Sequence, residues 1–379
     1  MKIKRYNSIG SEELTAAKKV IKNGILSDFV GSNSKKFLGG KYVQKFENQI
    51  TKYFRVKYAI TTNSWTSGLI AALGSMNLQP GDEVICTPWT MSACASSILH
   101  WNAIPVFVDI DKDNFGICPS KIQEAITKKT RAIIYIDYGG IPANYSEIKK
   151  IAKKNNLFLI NDAAQSLGSM INDKNLGALG DISTMSFHMA KILTTIEGGM
   201  IFTNNKKLKL KIETLRNIGE PKNNKYKHHL IGTNARMTEI NAAIGLEQLN
   251  KLDFFIKRRN EVADAYIKNI KKLKIPIVLP KIQKNIKCSY FFFPILLDKR
   301  DLVAKKLKDN YNIDTRVAYP MPLYNQKVYK EGLAKSRKLN CPQSESFCKR
   351  ILNLPIYPSL KNKDIDYVVQ SLHTIVNSI

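Results

Sequence analysis

Cysteine is scarce, and its spacing is that of no disulfide or metal framework. The six residues, Cys86, Cys94, Cys118, Cys288, Cys341 and Cys348, form no CxxC pair. This excludes the dense scaffold of a small secreted domain and reads as reduced, mostly buried thiols in a cytoplasmic protein. Histidine is scarcer still, at five residues, and no metal-ligand spacing occurs. The opening "MKIKRYNSIGSEEL" lacks the apolar stretch of a secretory signal. No uninterrupted apolar run reaches the length of a membrane span, so no membrane partner is expected. Internal repeats and low-complexity tracts are missing, and no long segment lacks apolar residues, so disorder is not indicated. Acidic residues are few, 31 against 59 lysines and arginines, for a formal net charge of +28. The basic residues are scattered, with no arginine-rich arm or nucleic-acid-binding module, so no nucleic-acid partner is expected. A positive field of this kind draws in anionic small molecules.

What is present is a long alternation. The pattern predicts a helix over 11–23, with Ser11 as N-cap and Gly24 as stop, and another over 43–54. Between them "SDFVGSNSKKFLGGKY" reads as an extended, glycine-bearing loop. Short apolar runs follow at "YAITTN", "EVICT", "IPVFVDI", "RAIIYID", "LFLINDA", "ISTMSF" and "GGMIFTN", most of the first five separated by helical segments such as 66–76 and 120–127. This predicts an α/β domain with a largely parallel sheet and helices on both faces. The last two runs lie close together, so part of the sheet is expected to be antiparallel. Helices resume over 206–217 and 237–252, the latter able to continue through "FFIKRRNEVADAYIKNIKKL". Two prolines in "KIPIVLPKIQ" mark a change of domain; beyond them "CSYFFFPILL" reads as a strand within a smaller α+β unit. The division adopted is 1–255 for the large domain with its N-terminal segment and 256–379 for the small one.

One lysine is out of place. Lys191, in "SFHMAKILTTIEGGMIF", stands between a strand-like run and a Gly-Gly pair, where the chain is otherwise apolar and small. Asp162 sits at the carboxyl end of "LFLINDA", the edge at which α/β sheets bind ligands. Each has a plainer reading alone: a strand-end aspartate is commonly a cap, and a lysine commonly a solvated surface residue. Together, a lysine and a fixed carboxylate can serve pyridoxal phosphate. The amine forms a Schiff base with the aldehyde, and the carboxylate keeps the pyridine nitrogen protonated. The phosphate needs N–H groups and hydroxyls at a helix N-terminus, which the strand, turn and helix start of "TTNSWTSGL" supply; alone, that stretch reads as a simple helix cap.

With "DAAQSLG", "GDISTMSFHMAK", "EGGM", "GTNARMTEINAAIGLEQL", "PGDEVICTPWT", "IPVFVDID" and "LPIYP", the chain resembles the sugar-nucleotide aminotransferases of the DegT–DnrJ–StrS type over nearly its whole length. These are fold-type I pyridoxal-phosphate enzymes. The resemblance implies a large α/β/α domain with a mostly parallel seven-stranded sheet plus a smaller C-terminal α+β domain. It implies that Lys191 is the Schiff-base lysine and proton carrier, and that Asp162 partners the pyridine nitrogen. Gln165 matches the residue near the ring's phenolic oxygen. Ser186, with Trp65 and Thr66, matches the phosphate ligands, and Trp89 an aromatic ring stacked on the cofactor. Asn234 matches a phosphate contact given to the neighbouring subunit's site, which implies a homodimer with composite active sites. His188, Tyr319 and Tyr324 are the expected substrate contacts.

The chain departs from the family's pattern at Trp65 and Ile196, where glycine is usual, and at Asp137 and Tyr324, where histidine is usual. These changes are expected to gather around the substrate. The reaction implied moves an amino group from L-glutamate, through the pyridoxamine form of the cofactor, to the ketone of a nucleotide-linked sugar bound for a surface polysaccharide or glycan. A small phosphorylated ketone such as dihydroxyacetone phosphate is the alternative acceptor. Two further readings are a sugar dehydratase, in which histidine replaces the lysine, and a pyridoxal-phosphate-binding regulator, which needs a DNA-binding module ahead of "MKIKRY".

Overall fold

The structure, a computed structural model, describes residues 6–29, 35–222 and 224–379. Part of the loop expected after the first helix, residues 30–34, lies outside the described residues. The seven apolar runs become seven strands: β1 (Tyr58–Thr62), β2 (Glu83–Cys86), β3 (Ile104–Phe107), β4 (Thr130–Ile136), β5 (Phe158–Asp162), β6 (Ile182–Ser186) and β7 (Gly199–Thr203). β2, β6 and β7 are buried at every position, the pattern of strands covered on both faces. Among the strands that follow are β8 (Phe293–Leu296), β9 (Arg337–Lys338) and β10 (Ile351–Leu354).

The large sheet has the order β1-β7-β6-β5-β4-β2-β3-β9. β7 runs antiparallel to β1 and β6, as the closeness of the last two runs implied, and the other neighbours are parallel. The seven expected strands thus gain an eighth. β9 is two residues from the C-terminal part, laid along β3 with Arg337 opposite Val106. Arg337 is held there by Glu83, at 3.0 and 3.1 Å. Two charged residues carry no hydrophobic period, so nothing in the pattern announced this strand.

The longer helices are α1 (Ser11–Asn23), α2 (Lys41–Phe54), α3 (Trp65–Gly74), α4 (Ala93–Leu99), α5 (Pro119–Ala125), α6 (Tyr145–Lys154), α7 (Lys206–Arg216), α8 (Glu239–Lys272), α9 (Arg300–Tyr311), α10 (Pro342–Arg350) and α11 (Asn362–Asn377). α3, α4 and α7 cover one face of the sheet around Ile60, Ile134 and Ile201. α5 and α6 cover part of the other face around Ile85, Ile133 and Leu159, and α2 with the first half of α8 covers the rest around Met185 and Phe202. Gly24 ends α1 in the left-handed conformation, φ 75°, as expected. Ser11 does not cap it. Gly10 does, its N–H donating to Glu13 Oε2 at 2.8 Å, because Lys251 and Gln248 hold the Glu13 carboxylate in place.

α8 is one helix of 34 residues. Its first half packs Leu246, Leu249 and Leu252 into the core beneath the sheet. Its second half packs Val262, Tyr266 and Ile270 into the core built by β8, β10, α9 and α11. A division between residues 255 and 256 falls inside this helix. No helix among the described residues is long and apolar enough to cross a membrane.

The starts of α2 and α8 are tied through Glu239. Its carboxylate accepts from the N–H groups of Gly40 at 3.0 Å and Tyr42 at 2.7 Å, the anion site of a helix N-terminus. Gly40 is required, since a Cβ there would lie 2.7 Å from Glu239 Cδ. Glu239→Ala leaves these N–H groups without a partner, and we expect a loss of about 2 kcal/mol in urea unfolding. An unchanged midpoint would show that the carboxylate is dispensable.

Candidate active site

β1, β5 and β6 present their carboxyl ends along one edge of the sheet, and a cavity of about 600 Å³ opens there. Lys191, Asp162, Gln165 and Ser186 line it, and so do Trp65, Thr66, His188 and Tyr319. Eight of the residues expected from the sequence are therefore brought together; Trp89, Tyr324 and Asn234 are not on the lining.

α3 begins directly after β1. Ser64 caps it, its hydroxyl accepting from Ser67 N–H at 3.1 Å and its carbonyl from Gly68 N–H at 3.1 Å. The N–H groups of Trp65 and Thr66 belong to the first turn, which a helix leaves without internal partners. Asn63 N–H donates to the Ala235 carbonyl at 2.9 Å and anchors the turn. The helix start rests on Gly199, where a Cβ would lie 2.6 Å from the Ser64 carbonyl and the Trp65 nitrogen. The Trp65 indole finds room by donating its Nε1–H to Thr184 Oγ1 at 3.2 Å, on the strand beside Asp162.

Asp162 closes β5 and is 3% exposed. Cys94 Sγ–H donates to its Oδ2 at 3.1 Å, and Ala164 N–H to its Oδ1 at 3.0 Å. Burial raises its pKa to about 6, with the thiol, the amide and Lys191 opposing the rise. Lys191 shows the mirror image. Burial lowers its pKa to about 8, Asp162 opposes the fall, and Arg316 adds to it. The Lys191 Nζ lies 4.4 Å from the centre of the Phe291 ring.

Gln165 bridges two walls. Its Oε1 accepts from Gly139 N–H at 2.8 Å, and its Nε2 donates to the Tyr319 hydroxyl at 3.1 Å. Gly139 and Gly140 have φ of 64° and 95°, which the tight turn after β4 demands. His188 is exposed at the cavity mouth, its Nε2 3.7 Å from Glu197 Oε1. Ile196, in place of the usual glycine, keeps the glycine's backbone: its φ is 73°, the left-handed region that β-branched residues avoid. Its N–H donates to Thr194 Oγ1 at 2.9 Å, which helps to hold that conformation.

Several expectations need correction. Trp89 does not face the cavity. Its N–H donates to Thr87 Oγ1 at 3.1 Å, and the indole turns into the core, stacked on Tyr138 with centroids 4.2 Å apart. Met91, 51% exposed, takes the place on the lining. Tyr324 is buried elsewhere, its hydroxyl donating to Glu345 at 2.8 Å and its ring facing Lys338 at 4.6 Å, in the seam with β9. Asp137 is a structural acceptor rather than a substrate contact. It takes hydrogen bonds from Ala143 N–H at 3.0 Å and Ser166 Oγ–H at 3.2 Å, and burial pushes it up to about 7. Asn234, expected to serve the neighbouring subunit's site rather than this one, is exposed, its Oδ1 accepting from Arg236 Nε–H at 2.9 Å and its carbonyl from Asn63 Nδ2 at 2.9 Å. Arg316, Phe291, Phe292 and Cys94 were missed. The aromatic run "YFFF" read only as strand, and a single arginine in "DTRVAYP" carries no motif.

The profile of the DegT/DnrJ/EryC1/StrS aminotransferase family matches residues 26–373. The chain belongs to this family. It is 38% identical to the GDP-perosamine synthase of Escherichia coli O157:H7, over 88% of this chain and 90% of that one. It is 32% identical to the UDP-4-amino-4,6-dideoxy-N-acetyl-beta-L-altrosamine transaminase of Campylobacter jejuni, over 99% and 97%. The crystal structure of NtdA from Bacillus subtilis, with bound pyridoxamine phosphate, superposes with a TM-score of 0.87 at 28% identity, over 100% of this chain and 87% of that one.

Pyridoxal phosphate, the cofactor of this aminotransferase family, fits the donor set found here. Asp162 is a buried carboxylate in no ion pair among the described residues. Lys191 is an amine whose pKa burial lowers to about 8, and Gly199 lets the helix start of α3 approach the sheet. Asp162 suits the pyridine nitrogen, and Trp65 N–H, Thr66 N–H and Ser186 Oγ suit the phosphate.

Capture of the cofactor by the apo-protein needs a neutral Nζ. With the Lys191 pKa lowered to about 8, the neutral form grows as pH rises through 8. The rate of cofactor uptake, followed by absorbance, should climb through that pH and then level. A rate still climbing far above it would mean that burial leaves the amine unperturbed.

Proposed function

We propose that this aminotransferase moves an amino group from L-glutamate to the ketone of a nucleotide-linked sugar, in the making of a surface polysaccharide or glycan, and that it works in the cytoplasm. The observation that carries the reading is the pairing of Lys191 and Asp162 in one cavity with the start of α3. The likeness to GDP-perosamine synthase and to a UDP-sugar transaminase supports the acceptor class. Pyridoxal phosphate supplies, when bound, an aldehyde to receive the amine and a ring that accepts carbanion electrons.

The residues divide the remaining work. Asp162, ionised above about pH 6, holds the proton on the pyridine nitrogen. Lys191 would carry the proton at the substrate carbon as general base and then general acid. The N–H groups of Trp65 and Thr66 and the Ser186 hydroxyl bind the phosphate. Gln165, fixed by Gly139, orients the ring's phenolic oxygen.

The same reading makes the enzyme a homodimer with Asn234 serving the partner's site. Its support is the exposure of Met91, Met189 and Ile196 around the mouth and of Ile231 beside the Asn234 segment. Mixing Lys191→Ala with Asn234→Ala chains under exchange should recover part of the activity that each lacks, since one site of each hybrid holds neither lesion. Full activity in a monomer would end that part of the proposal.

The function is tested with holoenzyme and L-glutamate, followed by a panel of nucleotide-linked keto sugars. Glutamate should shift the cofactor absorbance, and one of these acceptors should restore it. Asp162→Asn should keep the cofactor and lose about 3–4 kcal/mol of transition-state stabilisation, by analogy with deletion of an oxyanion-hole donor. Near-normal turnover in that variant would remove Asp162 from the chemistry.

A further inference from the structure

A second cavity, of about 550 Å³, lies apart from the active site and shares none of its lining residues. Four stretches of chain enclose it: Asn114, residues 142–153 at the start of α6, residues 171–179, and residues 281–286. They are tied to one another. Asn172 N–H donates to the Asn285 carbonyl at 3.0 Å, and Asn285 Nδ2 to Asn172 Oδ1 at 3.0 Å. Lys281 N–H donates to the Asp113 carbonyl at 2.8 Å, and the Tyr145 hydroxyl donates to the Leu179 carbonyl. Ala143 N–H is held by the buried Asp137 at 3.0 Å. The walls are thus fixed without a ligand, and the volume is that of a small-molecule site.

The charge of this cavity is one-sided. Lys149, Lys150, Lys153, Lys174 and Lys281 line it, and among the described residues no aspartate or glutamate does. The active-site cavity, by contrast, sets Asp162 and Glu197 against its cations. Two of the five lysines are answered from beyond the lining, Lys150 by Glu147 at 2.7 Å and Lys281 by Asp113 at 3.0 Å. Asp173, beside the hairpin, is taken by Lys287 at 2.6 Å. Lys149, Lys153 and Lys174 form no ion pair among the described residues. Lys149 and Lys153 stand one turn apart on α6, a spacing at which like charges repel. An anion set between these cations relieves that repulsion. The rest of the lining is of another kind. Pro142, Ala143, Ile171, Leu179 and Ile286 give an apolar wall, and the half-buried Tyr145 ring stands among them, 5.4 Å from Lys149 Nζ. A bare inorganic anion would leave this wall unused. A flat heterocycle suits an apolar wall with an aromatic ring, and lysine suits phosphate, which it meets as a point charge.

We propose that this cavity is a second binding site, for a nucleoside diphosphate, with the base against Tyr145 and the apolar wall and the phosphates among Lys149, Lys153 and Lys174. No step of the transamination passes through it, so the inference goes beyond that reading and does not depend on it. The three lysines are exposed, so the variant K149Q/K153Q/K174Q should fold and take up cofactor normally.

The experiment photolabels holoenzyme with azidoadenosine diphosphate and maps the label by peptide mass. Label should fall within residues 142–153, 171–179 or 281–286, and unlabelled nucleoside diphosphates should displace it. The concentration that half-saturates labelling there should rise about 30-fold in K149Q/K153Q/K174Q, the scale of three exposed ion pairs lost together. The control K18Q/K19Q/K22Q removes the same charge from exposed positions on α1 and should leave labelling unchanged. Inorganic pyrophosphate should displace the label only at much higher concentration, since it cannot use the apolar wall. Label confined to peptides of the active-site cavity overturns the inference. An equal loss in both triple variants does so too, because it reports the general positive field and not a site. Pyrophosphate that competes as well as a nucleoside diphosphate also overturns it, since the base then contributes nothing. The absorbance response of the cofactor to glutamate is read in the same samples: its failure counts against the aminotransferase reading alone, and labelling of this cavity stands or falls separately.

Discussion

A carboxylate and an amine share a cavity that penalises the charge of each. Burial pushes Asp162 up to about 6 and Lys191 down to about 8, and each restrains the shift of the other. Most of the surrounding architecture serves to keep them so placed. The parallel pairing of β5 with β6 sets Asp162 beside Thr184 and sends the chain on to Lys191. Cys94 and Ala164 take up the lone pairs that a buried carboxylate cannot leave empty. Gly199 lets the start of α3 lie against β7, which puts a positive helix end on the same edge of the sheet.

The wall that faces this pair comes from the C-terminal part, and buried arginines assemble it. Arg259 donates to the carbonyls of Tyr290 at 2.8 Å and Ile356 at 3.2 Å. Arg300 donates to those of Ile351 at 2.9 Å and Cys348 at 3.0 Å. Burial lowers the Arg259 pKa only to about 10, so the clamp stays charged at neutral pH. These carbonyls are thereby satisfied within the chain, and Phe291, Phe292 and the Asn353–Arg316 bridge are fixed against the cavity. Arg337, paired with Glu83, fastens the same part of the chain to the far edge of the large sheet.

Legibility followed the range of the interactions. Lys191, Asp162, Ser186 and the helix start at Trp65 were readable because each sits at a fixed offset from a strand end, and strands announce themselves by their apolar runs. Trp89 was misplaced because one hydrogen bond, from its N–H to Thr87, decides which side chain of the turn meets the cavity. Tyr324 was misplaced because its partner, Glu345, lies on α10 and leaves no trace in the local sequence. Arg316 had no local signal: its placement depends on Asn353, far along the chain in β10. The domain boundary was hidden by regularity, since both halves of α8 keep one helical period while facing different cores.

That continuity constrains how the enzyme can move. Two units joined by a flexible linker can swing apart as rigid bodies, but here a helix of 34 residues is a shared beam built into both cores. Opening the cavity by hinge rotation would have to bend this beam and break its regular hydrogen bonds in the middle. β9 adds a second attachment at the opposite edge of the sheet, so the small unit is held at two separated points. A body pinned twice resists rotation about either pin. Traffic of a large substrate and its product is left to what is not built in: the side chains at the rim, such as Met91, His188 and Arg316, and the turn that carries Ile196. The doorway is where this molecule can change shape while its frame stands still.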